Sequence, residues 1–462
     1  MVALLLSGFL VSAAFEPIGI WYLAVIGYAL FFRRLRKSRR PVLFAVLFGA
    51  VVNGIVLHWS SKYVGALPWL LLTALQAAFY APVGFVYKRS NSLLWVVFTL
   101  LLCEELRTRF PFGGFGWTRV GFSQVESPFL PLVSYGGVLL ISLVTLLAAL
   151  VFSNFSVKHL AFMLISIVIV GFLQNSAASA ESISLAAVQG NTPSVGLEFN
   201  GRAKAVFNLH LETTRKLVKQ KYDAIVWPEN AIDIDPRNYP EVSASIKSLV
   251  QDLETPLISG VVLTENGTPA NASVLYGETG DVKSTYIKRY LTPFGEYMPL
   301  RSLSELVSPY AVSVIDFKSG AELAVHDVSG FAIAPIICYE IINDGIVREA
   351  ANNSSALIVQ TNSATFANTP ESAQQLAITR IRAVEHSREI LSVSTVGISA
   401  FIDNNGVVKS QSAENVSTLL VGDLRLSETK TLADRLGGVA PLLVLAAALF
   451  LALFSTRRKI EL

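Results

Sequence analysis

The sequence predicts a multi-spanning α-helical membrane bundle of eight helices, arranged seven plus one, that carries an external α/β domain. Three observations predict it. The 462 residues are 52% hydrophobic and only 15% charged, with a mean hydropathy of +0.51, whereas soluble domains carry about 25% charged residues. The apolar residues gather into long runs instead of spreading along the chain. Between residues 181 and 430 the texture changes to short apolar segments separated by charges and by Gly and Asn turns. This composition excludes disorder, collagen and a coiled coil, and two cysteines exclude a disulfide scaffold or a cysteine-rich zinc site. A net charge of +3 is too small to suggest a nucleic-acid partner.

The runs occupy residues 2–14, 17–32, 41–58, 67–87, 91–103, 129–153, 158–174 and 437–455. A span needs about 20 residues, with about 17 as a lower bound. The runs beginning at 41, 67, 129, 158 and 437 qualify unaided, and those at 2, 17 and 91 are short. No basic region precedes the first run and the second follows at once, so it reads as a helix and not as a secretory signal. Ala13 to Ile18 then makes a tight turn, broken by Pro17. The domains are residues 1–176 for the membrane bundle, 181–430 for the external domain, and 435–462 for a last helix with a basic tail.

Basic residues orient the bundle. Six positive charges lie in the eight residues Arg33 to Arg40, which marks that loop as cytoplasmic. Counting helices from there places Lys88, Arg89, Lys158, Arg457, Arg458 and Lys459 on the same side. Both termini are then cytoplasmic, and the loop at 104–128 and the whole α/β domain are extracytoplasmic. Phe110, Phe112, Phe115 and Trp117 make that loop aromatic, as a membrane-interface anchor or a lipid-contacting wall.

Within the external domain, Ile183–Val188, Ala224–Trp227, Leu257–Leu263, Ala272–Tyr276, Val282–Leu291, Phe331–Cys338, Ala356–Gln360, Leu391–Ile402 and Thr418–Leu424 read as strands. Gly201–Lys219, Ser243–Leu253, Asn343–Ala351 and Glu371–Ser387 read as amphipathic helices. Their alternation points to layered α/β architecture, with a hairpin at Asn404-Asn405-Gly406.

Cys338 is the only cysteine of this domain. A lone thiol in an oxidising compartment is a liability, and this one ends an apolar strand just before polar residues. An unperturbed thiol, with a pKa of about 8.5, needs a base or a positive neighbour to become a nucleophile. His210, His326 and His386 have no strand-end setting, whereas Glu229 follows the strand Ala224–Trp227 and Pro228. Strand ends are where active-site residues of α/β sheets collect. Lys288 lies in the strand-like stretch Tyr286–Leu291. Taken singly, the thiol reads as a small core hydrophobe, the glutamate as a solvated cap and the lysine as an edge gatekeeper. The histidines show no pair at ligand spacing, so no metal is expected.

Together the segments Trp227-Pro228-Glu229, Lys288 with Pro293-Phe294-Gly295-Glu296, and Cys338-Tyr339-Glu340 resemble the Glu-Lys-Cys constellation of the nitrilase, or carbon-nitrogen hydrolase, superfamily. The membrane arrangement resembles one branch of it, the apolipoprotein N-acyltransferases. Val188-Gln189-Gly190-Asn191, Pro111 to Trp117 and Arg380 to Glu385 recur in the family's order. One loop departs. Where the family commonly shows Asn-Asp-Ala-Trp-Phe, this chain reads Asn362-Ser363-Ala364-Thr365-Phe366.

The resemblance implies an αββα sandwich for the external domain, no cofactor, and a monomer in the bacterial inner membrane. It implies acyl transfer from a phospholipid, through a thioester on Cys338, to the α-amine of a diacylglyceryl-modified apolipoprotein. Glu229 would be the general base, and Lys288 with the Tyr339 N–H would hold the oxyanion. Glu296, Tyr339 and Glu340 would support the triad, with Trp117 and Phe366 as substrate contacts. A membrane-tethered amidase would carry the same triad, and a non-catalytic scaffold need not carry it. Seven lipid-embedded helices favour a lipid substrate over a soluble amide.

Overall fold

A computed structural model of the chain describes residues 2–154, 180–196, 203–307 and 310–460. It divides into two compact units, Met1–Asn175 with Thr431–Leu462, and Ser176–Lys430.

The first unit is helical. Its described helices are Val2–Ser12, Tyr22–Leu35, Pro41–Val56, Ala66–Ala78, Ala81–Ser90, Leu93–Arg107, Val133–Asn154 and Val439–Ile460, with a short helix Leu432–Leu436 before the last. Ala13 to Ile18 is a turn, as expected. The apolar run at 67–87 is interrupted near Phe79, where Pro82 opens a new helical segment. Among the described residues, two helical stretches, Ala66–Ser90 and Leu130–Ser153, are long and apolar enough to cross a membrane. Val2–Ser12, Pro41–Val56 and Val439–Ser455 are shorter apolar helices. The run at 158–174 lies outside the described residues.

The second unit is the expected α/β domain, built on two six-stranded sheets. The strands are β1 Ser182–Gln189, β2 Ala224–Val226, β3 Leu257–Glu265, β4 Thr268–Tyr276, β5 Val282–Ile287 and β6 His326–Val328. They continue with β7 Phe331–Ile337, β8 Ala356–Thr361, β9 Ile390–Ser394, β10 Ala400–Ile402, β11 Val408–Gln411 and β12 Thr418–Arg425. One sheet runs β12-β1-β2-β3-β4-β5 and the other β11-β10-β9-β8-β7-β6. Each has three parallel strands in the middle, β1-β2-β3 and β7-β8-β9, with an antiparallel strand on one side and an antiparallel pair on the other.

Burial explains the layering. Ile183, Leu185 and Val226 of the first sheet pack with Ile333, Ile358 and Leu391 of the second in one apolar core. Their neighbours along the strands, such as Ala186, Val188 and Ile225, face outward and pack with Phe207, Ile246 and Leu249 of the helices Ala205–Leu217 and Pro240–Asp252. Alternating side chains thus serve two cores, which is why these strands read as continuous apolar runs. The helices Asp344–Asn352 and Glu371–His386 accompany the second sheet, giving the αββα order.

Several boundaries differ from the sequence expectation. The stretch Leu391–Ile402 is two antiparallel strands, not one. The turn between them tucks Gly397 under three serines, where a Cβ would come within 3 Å of the Oγ atoms of Ser372, Ser394 and Ser363. Strand β5 stops at Ile287 instead of reaching Leu291, because a buried carboxylate captures the next backbone amides. The helix expected from Ser243 begins at Pro240, a residue suited to the first helical turn. The edge strands β6 and β11 are short and partly polar, without the apolar alternation that marks a strand.

Candidate active site

Glu229, Lys288 and Cys338 come from three separate places and meet in one buried cluster. Glu229 follows β2, where Trp227 is fully buried and donates from its indole to Thr214 Oγ1 at 2.9 Å. Gly260 on β3 lets this segment approach: a Cβ there would lie 2.3 Å from the Pro228 carbonyl and 2.5 Å from Glu229 Cα. Gln360 Nε2 donates to the Trp227 carbonyl at 2.7 Å. The backbone carrying the glutamate is therefore tied to both sheets.

Lys288 sits one residue past β5, its N–H still bonded to the Asn271 carbonyl of β4 at 2.8 Å. Its ammonium lies 2.8 Å from Glu296 Oε2 and 3.3 Å from Glu229 Oε1. The side chain is 1% exposed. Burial works against its charge, but Glu296 and Glu229 outweigh that cost and hold its pKa above the usual lysine range.

Cys338 follows β7 with a φ of +50°, a left-handed conformation that a residue with a Cβ adopts at a cost. A nucleophile on a sharp turn at a strand end presents its side-chain atom to the space beyond the sheet, as in other α/β enzymes. Gln375 Nε2 approaches Sγ at 3.8 Å, and the thiol hydrogen-bonds the Glu229 carboxylate. Burial, then the Glu229 charge, push the thiol well above its usual pKa, with Lys288 opposing. The resting thiol is thus protonated.

The two carboxylates beside Lys288 are driven apart. Glu229 is pushed up, first by burial and against the pull of Lys288, with Glu296 adding repulsion. Glu296 is held below the usual range despite burial, by Lys288 and by hydrogen bonds from Asn271 and the Thr292 N–H. Asn271 Nδ2 bridges them, at 2.6 Å from Glu229 Oε1 and 3.0 Å from Glu296 Oε1. Carboxyl groups separated in this way have different roles: Glu296 is the counter-ion of Lys288, and Glu229 is the more basic partner of the thiol.

Glu340 is fully buried. Its Oε1 accepts from the Tyr286 hydroxyl at 2.8 Å, the Arg289 N–H at 2.7 Å and the Tyr290 N–H at 3.2 Å. Its Oε2 accepts from the Ile337 N–H at 2.9 Å. One carboxyl thereby joins the residue before Cys338 to the two residues after Lys288, and this capture ends β5. Tyr339 is buried and stacked on Tyr290, with ring centroids 5.3 Å apart and planes 7° from parallel.

Phe366 is half-buried in the short turn Ala364–Phe366. Trp117 belongs to the helical unit, where it is buried beside Trp59 at a centroid distance of 5.2 Å. Phe110 and Phe112 of the same loop are exposed. Ser363, at the position where the resemblance leads to an acid, hydrogen-bonds the Glu371 carboxyl, so an acid still stands against this loop. Sequence reasoning missed Asn271, Gln375 and Glu371. A polar Asn inside the buried strand Ala270–Tyr276 was a signal, since such a group needs partners.

Residues 7–151 match the profile of the apolipoprotein N-acyltransferase N-terminal domain, and residues 184–434 that of the carbon-nitrogen hydrolases. The apolipoprotein N-acyltransferase of Mycolicibacterium smegmatis is 31% identical over 498 aligned positions, covering 97% of this chain and 84% of that one. The chain belongs to the apolipoprotein N-acyltransferase family. Family members from Geobacter metallireducens and Pseudomonas aeruginosa strain LESB58 are 26% and 28% identical, covering 98% and 91% of this chain. Family membership makes it an acyltransferase with a carbon-nitrogen hydrolase catalytic domain.

Proposed function

We propose that the protein moves a fatty acyl group from a membrane phospholipid to the α-amine of a diacylglyceryl-modified apolipoprotein, by way of a thioester on Cys338. The observation that carries this reading is the buried meeting of Glu229, Lys288 and Cys338, with the thiol on a left-handed turn and hydrogen-bonded to the glutamate. A carboxylate of raised pKa facing a protonated thiol can remove its proton as sulfur attacks the ester carbonyl. The tetrahedral oxyanion is met by the Lys288 ammonium and the Tyr339 N–H, a contribution of about 3–4 kcal/mol per donor in a dry site. Glu229 then delivers the proton to the departing lysophospholipid. In the second half-reaction the amine attacks the thioester, an amide forms, and the thiol is restored.

Eight membrane spans, with the catalytic domain outside and both termini in the cytoplasm, fit these substrates. The apolar helices and the positions of the basic loops support that arrangement. Both substrates are lipids, so the thiol must work beside the bilayer, and the aromatic loop with exposed Phe110 and Phe112 suits contact with it. Phe366 and Trp117 are proposed as substrate contacts, and the protein is proposed to act as a monomer.

The test uses the full-length protein in detergent with a phospholipid. Mass spectrometry should find an acyl adduct on Cys338 that passes to a diacylglyceryl peptide amine. Passage to water alone would make the protein a hydrolase. Undiminished activity in Cys338→Ala would end the thioester mechanism.

A further inference from the structure

The proposed transfer releases one proton that the triad cannot hold, and a fourth buried carboxyl stands beside the triad. An α-amine, with a pKa of about 7.7–8.0, arrives largely as an ammonium at neutral pH. As the C–N bond forms and the C–S bond breaks, an ammonium with three N–H protons becomes an amide with one. Of the two protons lost, one returns through Glu229 to the Cys338 sulfur. The other must leave the site.

Glu371 opens the helix Glu371–His386 and is 3% exposed. Gln375, one turn on and on the same helix face, is the residue that approaches Cys338 Sγ at 3.8 Å. Ser363 hydrogen-bonds the Glu371 carboxyl, yet Oε2 is buried with no hydrogen-bond partner. An unpartnered buried carboxylate oxygen is costly while charged and is relieved by taking up a proton. The ionisable groups that bear on it are Glu229 after β2, Glu414 in the loop after β11, and the Cys338 thiol after β7. Burial, followed by repulsion from Glu229 and Glu414, raises its pKa to about 7. Glu414 is half-buried and so reaches solvent.

We propose that Glu371 accepts the excess proton of the attacking amine and releases it to solvent past Glu414. This assignment rests on the acyl-transfer reading above. It requires Glu371 only when the nucleophile arrives as an ammonium. A nucleophile that arrives neutral brings one proton fewer, and Glu229 alone suffices.

The experiment forms the thioester on the full-length enzyme and follows its decay by mass spectrometry in wild type and Glu371→Gln. With a diacylglyceryl peptide at pH 7, the variant should transfer up to about 10-fold more slowly, because only the neutral tenth or so of the amine can then react. Its rise in transfer rate should also move from about pH 7 to the amine's own range, about pH 7.7–8.0. With hydroxylamine, neutral at this pH, variant and wild type should decay within about two-fold of each other. Equal slowing with both nucleophiles would mean a purely structural role and overturn the assignment. Unslowed transfer to the peptide would overturn it alone. A wild-type enzyme that forms no thioester would overturn the acyl-transfer reading and this assignment with it.

Discussion

Lys288 is bound more closely to Glu296 than to Glu229, its ammonium lying 2.8 Å from one carboxylate and 3.3 Å from the other. The asymmetry has a chemical consequence. If Glu229 held the lysine alone, its charge would be stabilised and its basicity toward Cys338 would fall. Glu296 takes most of the ion pairing and leaves Glu229 raised.

Glu296→Gln should therefore slow acylation without removing any reacting atom. Loss of the Glu296 charge takes away a repulsion that raises Glu229 and frees Lys288 to pair with it, so the Glu229 pKa falls. The acid limb of the acylation profile should move to lower pH, and the plateau should drop about 10–100-fold as the base weakens. Single-turnover acylation across pH measures both effects.

Glu340→Gln should break the tie between the two segments at one of its ends. The amide retains one acceptor oxygen but offers N–H groups where the carboxylate accepted, leaving either Ile337 N–H or the cluster of Tyr286, Arg289 and Tyr290 unpaired. An unsatisfied buried group costs about 1–3 kcal/mol. Hydrogen exchange should quicken in the segment that faces the amide nitrogen, around Ile337 or around Arg289, and acylation should slow. Unchanged exchange in both segments would contradict the role of Glu340 as their tie.

The parts of this site legible in the sequence were those whose position depends on a strand end. Glu229 and Cys338 follow apolar runs that could only be buried strands, and such ends converge at one edge of an α/β layer. Asn271 and Gln375 were hidden because their partners are distant in sequence and belong to other elements. Glu371 looked like an ordinary acid at a helix start, a place where the dipole favours negative charge. Only the packing of the helix reveals that it is buried near the thiol. The break between β9 and β10 escaped because Ile398 and the other apolar residues continue through it, while the close serines that require Gly397 come from three different segments. The partners of Glu340 were hidden for a related reason: a polar residue after a strand is solvated unless a second segment covers it, and the covering segment lies about fifty residues earlier.

Alkylation of Cys338 should separate thiol acidity from catalysis. Burial is the main force raising the thiol pKa, the Glu229 charge adds to it, and Lys288 opposes it. In Glu229→Gln the thiol should ionise at lower pH than in wild type even though acyl transfer is lost. In Lys288→Met it should ionise at higher pH. Rates of iodoacetamide modification from pH 7 to 10, read on the intact protein by mass, provide the test. A shift in the opposite direction for either variant would contradict the charge arrangement.

Glu371 should make the stability of the catalytic unit depend on pH in a direction unusual for a carboxyl group. Its pKa is raised from its usual 4.5 to about 7 in the folded protein. A raised pKa means that the folded state prefers the protonated form, so stability is fully present below about pH 4.5 and is lost as pH rises through about 7. At 1.36 kcal/mol per pH unit the loss amounts to about 3 kcal/mol. Glu371→Gln carries no charge and should escape it. The glutamine amide brings an unpartnered N–H of its own, a cost of about 1–3 kcal/mol that does not vary with pH. The slope therefore tests the idea, and the offset does not. Hydrogen exchange of the β8 and β9 amides in the full-length protein, corrected for intrinsic rates, should show wild-type protection falling from pH 5 to 8. Protection in the variant should fall less steeply over the same range, since Glu229 is raised as well, and parallel slopes would show that Glu371 is not the group that titrates.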